Sequence, residues 1–195
     1  MNKVLNLNKF FVKEHIGLFK AANNYDIYNP DNGQLVLICR EEKLSFLTKL
    51  LRFTDYKRMT AFNIEVKTPE GQKVLTISRK FTILMSRVYV YDENDILVGM
   101  FKQKLFSIGG KFEVLNSEGV SQCLLVGKWT SWEFKFIKDN IEFAYVTKKW
   151  SGIGKELFTS ADNYLLVIDE KVPADNPIRM LIFAAVMCID MVLKE

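Results

Sequence analysis

Short runs in which apolar and polar residues alternate, each closed by a polar turn, fill most of the chain. In "FNIEVK" Phe62, Ile64 and Val66 share one face and Asn63, Glu65 and Lys67 the other; Trp132, Phe134 and Phe136 repeat the rule against Glu133 and Lys135. Such runs pair into five predicted hairpins: "YDIYNPDNGQLVLICR" turning at Asn29 to Gly33, "FNIEVKTPEGQKVLTISRK" at Pro69 to Gly71, "VYVYDENDILVGMFKQK" at Asp92 to Asp95, "KFEVLNSEGVSQCLLVGKW" at Asn116 to Gly119, and "WEFKFIKDNIEFAYVTKKW" at Lys138 to Asn140. Asn, Asp and Gly sit at these corners because they tolerate positive φ or bond their own backbone, and Pro presets the bend. "NYLLVID" adds one strand after them. Each strand has a wet and a dry face, and a large antiparallel sheet of this kind curls to remove its edges, so a barrel or a sandwich is expected.

Two segments depart from this period. From Lys43 to Phe53, Leu44, Phe46, Leu47, Leu50, Leu51 and Phe53 fall within about half the circumference of a helix, with Ser45, Thr48, Lys49 and Arg52 opposite. This is an amphipathic helix with a basic face. At the C-terminus, Asn176 and Pro177 read as N-cap and first helical residue of a helix over 177–195. Its uninterrupted apolar run, Met180 to Ile189, is ten residues between Arg179 and Asp190. At about 1.5 Å per residue that is roughly half the hydrocarbon thickness of a bilayer, so the helix is predicted to lie inside the fold, wrapped by the dry faces of the hairpins.

Composition agrees with one folded domain over 1–195: 49% hydrophobic and 26% charged residues, with 15 Phe, 7 Tyr and 3 Trp against 4 Pro. A net charge of +4 permits attraction to anionic lipid or nucleic acid without demanding it. Cys39, Cys123 and Cys188 are odd in number and far apart, which argues for a reducing compartment and against a disulfide framework or a Cys-rich metal site. The N-terminal segment, charged at Lys3, Lys9, Lys13 and Glu14, is not a secretory signal, and a cytoplasmic location is expected. His15 is the only histidine. Without a nucleophile elbow or a phosphate-binding loop, it is read as structural, and no catalytic residue is assigned.

The order of hairpins and terminal helix resembles the phospholipid scramblase family and the wider tubby-like superfamily. The likeness is carried by "FFVKEHIGLFKAANNYDIYNPDNGQLV", "VLTISRKF", "FTSADNYLLVIDEK" and "IFAAVMCIDMVLKE", and runs from about residue 10 to the C-terminus. It implies a mostly β fold, a closed antiparallel barrel of roughly twelve strands enclosing the C-terminal helix. It also implies a phospholipid-related function: calcium-dependent lipid scrambling in animal members, phosphoinositide binding by a basic surface in tubby-like relatives. The proposed calcium segment of the family corresponds to "SADNYLLVIDEK", where Ser160 replaces the first acidic residue. Asp162, Asp169 and Glu170 remain as oxygen donors, but one carboxylate fewer weakens a calcium site, so no cofactor is assigned and ordinary turn carboxylates are the favoured reading. The proline-rich extension and palmitoylated cysteine cluster of animal members have no counterpart in these residues.

Two sets of basic residues are candidates for anionic head groups. Arg79, Lys80, Lys102, Lys104, Lys128, Lys148 and Lys149 end strands and would gather on one barrel rim; Lys49, Arg52, Lys57 and Arg58 belong to the amphipathic segment and its sequel. The competing readings are solubilising lysines on outward strand faces and a helix that plugs an open barrel end. Trp129, Trp132 and Trp150 are read as core or rim packing. The expected function is a non-enzymatic, scramblase-like domain, cytoplasmic or peripheral to a membrane, that binds anionic phospholipid. The alternative is a protein-interaction scaffold that has lost lipid and calcium function. No nucleic-acid partner is expected.

Overall fold

The structure, a computed structural model, describes residues 1–15, 22–41, 46–51, 54, 59–83, 85–104, 110–128, 130–148 and 163–193. All five hairpins form: β2 (Tyr25–Tyr28) with β3 (Leu35–Glu41), β4 (Phe62–Lys67) with β5 (Lys73–Arg79), β6 (Arg87–Asp92) with β7 (Leu97–Gln103), β8 (Lys111–Asn116) with β9 (Ser121–Lys128), and β10 (Glu133–Lys138) with β11 (Ile141–Thr147). "NYLLVI" forms β12 (Asn163–Ile168), and a strand the alternation does not announce, β1 (Lys9–Glu14), precedes them all. β1 pairs with both β2 and β12 and so closes the barrel. Its sequence hides it because Phe10, Phe11 and Val12 are all buried: Phe11 points outward yet is covered, its ring 6.2 Å from that of Tyr28. A strand covered on both faces loses the period of two.

The turns match their chemistry. Asp139 and Asn140 both take positive φ (51° and 63°), the conformation a two-residue hairpin with the native strand twist requires. At the next hairpin back, Asn116 accepts hydrogen bonds through its side-chain oxygen from the amides of Glu118 and Val120, and Gly119 takes φ 80°.

Because every strand neighbours its predecessor in sequence, connections alternate strictly between the two ends of the barrel. The turn end carries the five tight hairpins. The loop end carries the connections β1–β2, β3–β4, β5–β6, β7–β8, β9–β10 and β11–β12. Within the β3–β4 connection, α1 (Phe46–Leu51) lies inside the expected 43–53 segment, whose remaining residues fall outside the described ones.

The terminal helix α2 (Ile178–Leu193) runs through the barrel. Asn176 caps it, its side-chain oxygen accepting from the Ile178 amide at 3.0 Å, as the sequence indicated. Every residue from Arg179 to Val192 is buried, so the helix is enclosed on all sides. Phe183 meets the edge of Phe10 with ring centroids 5.3 Å apart. Gly99 on β7 leaves room for Leu181: a Cβ there would lie 3.1 Å from Leu181 Cδ1 and closer still to the Leu115 carbonyl. Among the described residues no helix is long and apolar enough to cross a membrane.

The two charges flanking the apolar run are also interior. Arg179, 1% exposed, enters at the turn end and donates to the carbonyls of Leu5, Leu7 and Val172 and to the side chain of Asn8. Asp190, 4% exposed, sits towards the loop end and accepts the hydroxyls of Tyr25 and Tyr164. Both groups meet the requirement that a buried charge be hydrogen-bonded.

Candidate functional site

Strand direction decides where the basic residues go. β5, β7, β9 and β11 all run towards the loop end, so Lys80, Lys102, Lys104, Lys128 and Lys148 gather on that one rim. Arg87 and Lys111 join them, because β6 and β8 start there. Sequence reasoning overlooked these two, having counted only strand C-terminal ends; an antiparallel meander places alternate strand starts on the same rim. Arg87 stands directly opposite Lys102 across β6–β7, and Lys102 opposite Glu113 across β7–β8. Two like charges facing each other on neighbouring strands cost stability, so the Arg87–Lys102 pair is an unfavourable choice for folding alone.

Arg79 departs from the expected set. It is 2% exposed, and its guanidinium turns inward: Nε and Nη2 donate to the Thr60 carbonyl, Nη1 to the Ser86 hydroxyl, and the group lies 4.8 Å from the Phe62 ring centroid. Its charge organises the barrel end and is not offered to a surface. Lys148 is intermediate, with its ammonium 4.3 Å from the Trp132 ring centroid and 5.1 Å from that of Tyr164. Lys80 is exposed. The backbone of Lys49 lies in α1, while Arg52, Lys57, Arg58 and Lys149 fall outside the described residues.

Several of the described acidic groups on the loop-end rim are engaged. Asp26 bonds Arg40 at 2.6 Å and His15 Nε2 at 2.7 Å; Glu41 accepts from the backbone and side chain of Asn23; Glu113 lies 3.6 Å from Lys104. Glu133 faces Lys128 across β9–β10. Burial by itself would raise the Asp26 carboxyl, but hydrogen bonds from Arg40 and His15 outweigh it and hold the group below its usual range. At the turn end every hairpin exposes an acidic residue, Asp31, Glu70, Asp95, Glu118 and Asp139, of which Asp31 and Asp95 are paired with Lys9 and Lys73. Among the described residues the loop end is therefore the more basic and the turn end the more acidic.

Among the described residues the β5–β6 corner is the most apolar exposed feature of the basic end. Phe81 is 56% exposed, Ile83 69% and Met85 37%, with Lys80 and Arg87 on either side. The corner is held: the Thr82 amide donates to the Met59 carbonyl at 3.1 Å and its hydroxyl to the Met85 carbonyl at 2.8 Å. Phe81 and Ile83, on either side of half-buried Thr82, are exposed. Leu50 of α1, 55% exposed, belongs to the same end.

Of the metal candidates, Asp169 and Glu170 are described and Asp162 is not. Asp169 and Glu170 follow β12 at the turn end, whereas Asn163, the residue after Asp162, opens β12 at the loop end. Asp169 is used in its turn, accepting from the Lys171 amide, and Asp162 itself lies outside the described residues. Among the described residues no group of three or more His, Cys, Asp or Glu side chains is placed to hold a metal ion. Nor do the thiols present nucleophiles: Cys39, Cys123 and Cys188 are buried, and desolvation raises all three, Cys123 to about 12.

A closed twelve-stranded antiparallel barrel around its own C-terminal helix is a tubby/scramblase-like fold. The profile of the Scramblase family matches residues 3–195, and the chain belongs to that family. It is 26% identical over 157 residues to a phospholipid scramblase family protein of Schizosaccharomyces pombe (76% of this chain, 41% of that protein). It is 23% identical over 171 residues to human phospholipid scramblase family member 5 (80% and 59%), and 26% identical over 190 residues to altered inheritance rate of mitochondria protein 25 of Saccharomyces cerevisiae (84% and 58%). The chain thus spans two fifths to three fifths of the length of these relatives. No solved structure matches it significantly.

Proposed function

We propose that the protein is a non-enzymatic, scramblase-like domain that binds anionic phospholipid at a membrane surface and works in the cytoplasm or at a cytoplasmic membrane face. The observation that carries this reading is the axial charge separation: exposed lysines and Arg87 on the loop end, acidic turns at the other. A barrel polarised in this way is drawn to an anionic surface with one end leading. Each cation close to such a surface contributes about 1 kcal/mol, so four of them reach a useful affinity without any single specific pocket. Names of the relatives agree, two of them being phospholipid scramblase family proteins. Three buried, unpaired cysteines fit a reducing compartment.

Flotation with liposomes tests the reading. The full chain floats with phosphatidylserine-containing vesicles at low salt, stays behind with pure phosphatidylcholine, and is released as salt rises, with or without calcium. Absence of flotation with anionic vesicles at low salt removes the lipid-binding function and leaves the protein-interaction scaffold as the better account.

A further inference from the structure

We propose that the β5–β6 corner is the membrane-inserting element of this domain: Phe81 and Ile83 enter the interfacial layer of an anionic bilayer while Lys80, Arg87 and Lys102 meet lipid phosphates around them. The inference rests on the lipid-binding reading and gives that reading a site and an orientation, with the loop end down and the acidic turn end towards solvent.

Four observations converge. First, Phe81, Ile83 and Met85 are exposed on consecutive odd positions of one short connection, an apolar concentration that the tight turns do not match. Exposed apolar residues also occur at the turn end, at Ile96, Val120 and Ile141, but singly, one per hairpin. Second, charge discriminates between the two ends. Asp95, paired with Lys73, precedes Ile96, while Glu118 lies two residues before Val120 and Asp139 two before Ile141, so an anionic surface would repel the last two of those tips. The β5–β6 corner is instead set between Lys80 and Arg87, with Lys102 opposite Arg87 on the adjacent strand. Among the described residues none of these three cations forms an ion pair. Third, an anion placed between the opposed Arg87 and Lys102 would stabilise both, and a groove lined by Lys80, Phe81, Ile83, Arg87 and Tyr89 opens on the Arg87 side. A lipid phosphate satisfies both requirements at once, the cations at phosphate depth and the side chains of Phe81 and Ile83 below it. Fourth, the corner is braced by the two Thr82 hydrogen bonds, so it is presented without the ordering cost a loose loop would incur on binding. A protein partner would suit the apolar residues, but the cations around them, without an ion pair among the described residues, favour the anionic surface.

The experiment uses the full chain and phosphatidylcholine–phosphatidylserine vesicles. Ile83→Cys and, at the opposite end, Ile141→Cys are each labelled with an environment-sensitive fluorophore; the buried native thiols stay unlabelled in the folded protein. Vesicles shift the emission of the label at position 83 to the blue and expose it to quenching by lipids carrying a quencher at shallow depth, and leave the label at position 141 unchanged. In parallel, the double variant Phe81→Ser with Ile83→Ser floats at least about tenfold more weakly than the parent, and Ile96→Ser with Ile141→Ser floats as the parent does. Circular dichroism and a melting curve for each variant establish that it is folded. If the parent floats while the label at 83 does not respond, or while the double serine variant floats undiminished, the corner is not the inserting element, although lipid binding stands. A parent chain that does not float at all overturns both.

Discussion

Tyr25, the first residue of β2, donates its hydroxyl to Asp190 Oδ2 at 2.6 Å, tying the barrel wall to the last third of the helix that threads it. Tyr164, the second residue of β12, donates to the other carboxylate oxygen. The terminal helix is therefore held at one end by this carboxylate and at the other by Arg179, with apolar packing between. Removing one tyrosine hydroxyl leaves a buried carboxylate short of a donor. Tyr25→Phe is expected to lower stability by about 1.5–3 kcal/mol, measured as a shift in urea midpoint at constant slope.

Alkaline pH probes the same contact. Burial first, and then the nearby Asp190 charge, raise the Tyr25 hydroxyl well above its ordinary value. The unfolded chain releases this proton near pH 10 and the folded chain only higher, so the folded state holds more protons in between and stability falls as pH rises through that window. Urea midpoints should decline above about pH 10, and less steeply in Tyr25→Phe.

At acid pH the sign reverses. Asp26 is held below its usual range by Arg40 and His15, so the unfolded state binds the extra proton first, and the contribution of Asp26 is lost as pH falls through its depressed folded value. Arg40→Ala should flatten the loss of stability below about pH 4, a comparison made by urea titrations at successive pH values. It should also cost stability at neutral pH, because the Arg40 guanidinium donates to the Tyr25 and Cys39 carbonyls as well.

Ala185 lies at the middle of the helix with no exposed surface. Ala185→Asp places an unpaired charge against the barrel lining and is expected to unfold the protein, read as loss of cooperative melting. A folded variant that merely loses membrane association would identify the helix as an anchor instead. Arg179→Met tests the opposite end of the helix. It keeps the volume and leaves the carbonyls of Leu5, Leu7 and Val172 without their donor, at an expected cost of about 3 kcal/mol or more.

Much of the fold is legible in the chain because its strands have one wet face, and each of the five hairpins is announced by alternation and a turn residue with a mechanism. β1 is not, since Phe11 is covered from outside as well as Phe10 from inside. The helix is legible through its cap and its short apolar run, yet nothing local says that Asp190 will meet Tyr25, 165 residues away. The candidate site is legible only as composition. That Lys80 and Lys102 share a rim follows from strand direction, and that Arg79, one residue before Lys80, turns inward follows from the pleat. The apolar corner at Phe81 and Ile83 escaped notice because the seven residues between Arg79 and Arg87 are too few for a period to show.

Charge reversal at the rim bears most directly on the lipid-binding account. Arg87→Glu with Lys102→Glu, compared with Lys138→Glu with Lys171→Glu at the turn end, changes net charge equally and differs only in which end of the barrel is altered. Flotation with phosphatidylserine-containing vesicles at low salt should be abolished by the first pair and retained by the second. Equal loss in both would show that attraction follows net charge alone, and undiminished flotation of the first pair would contradict a basic loop end as the membrane-facing surface.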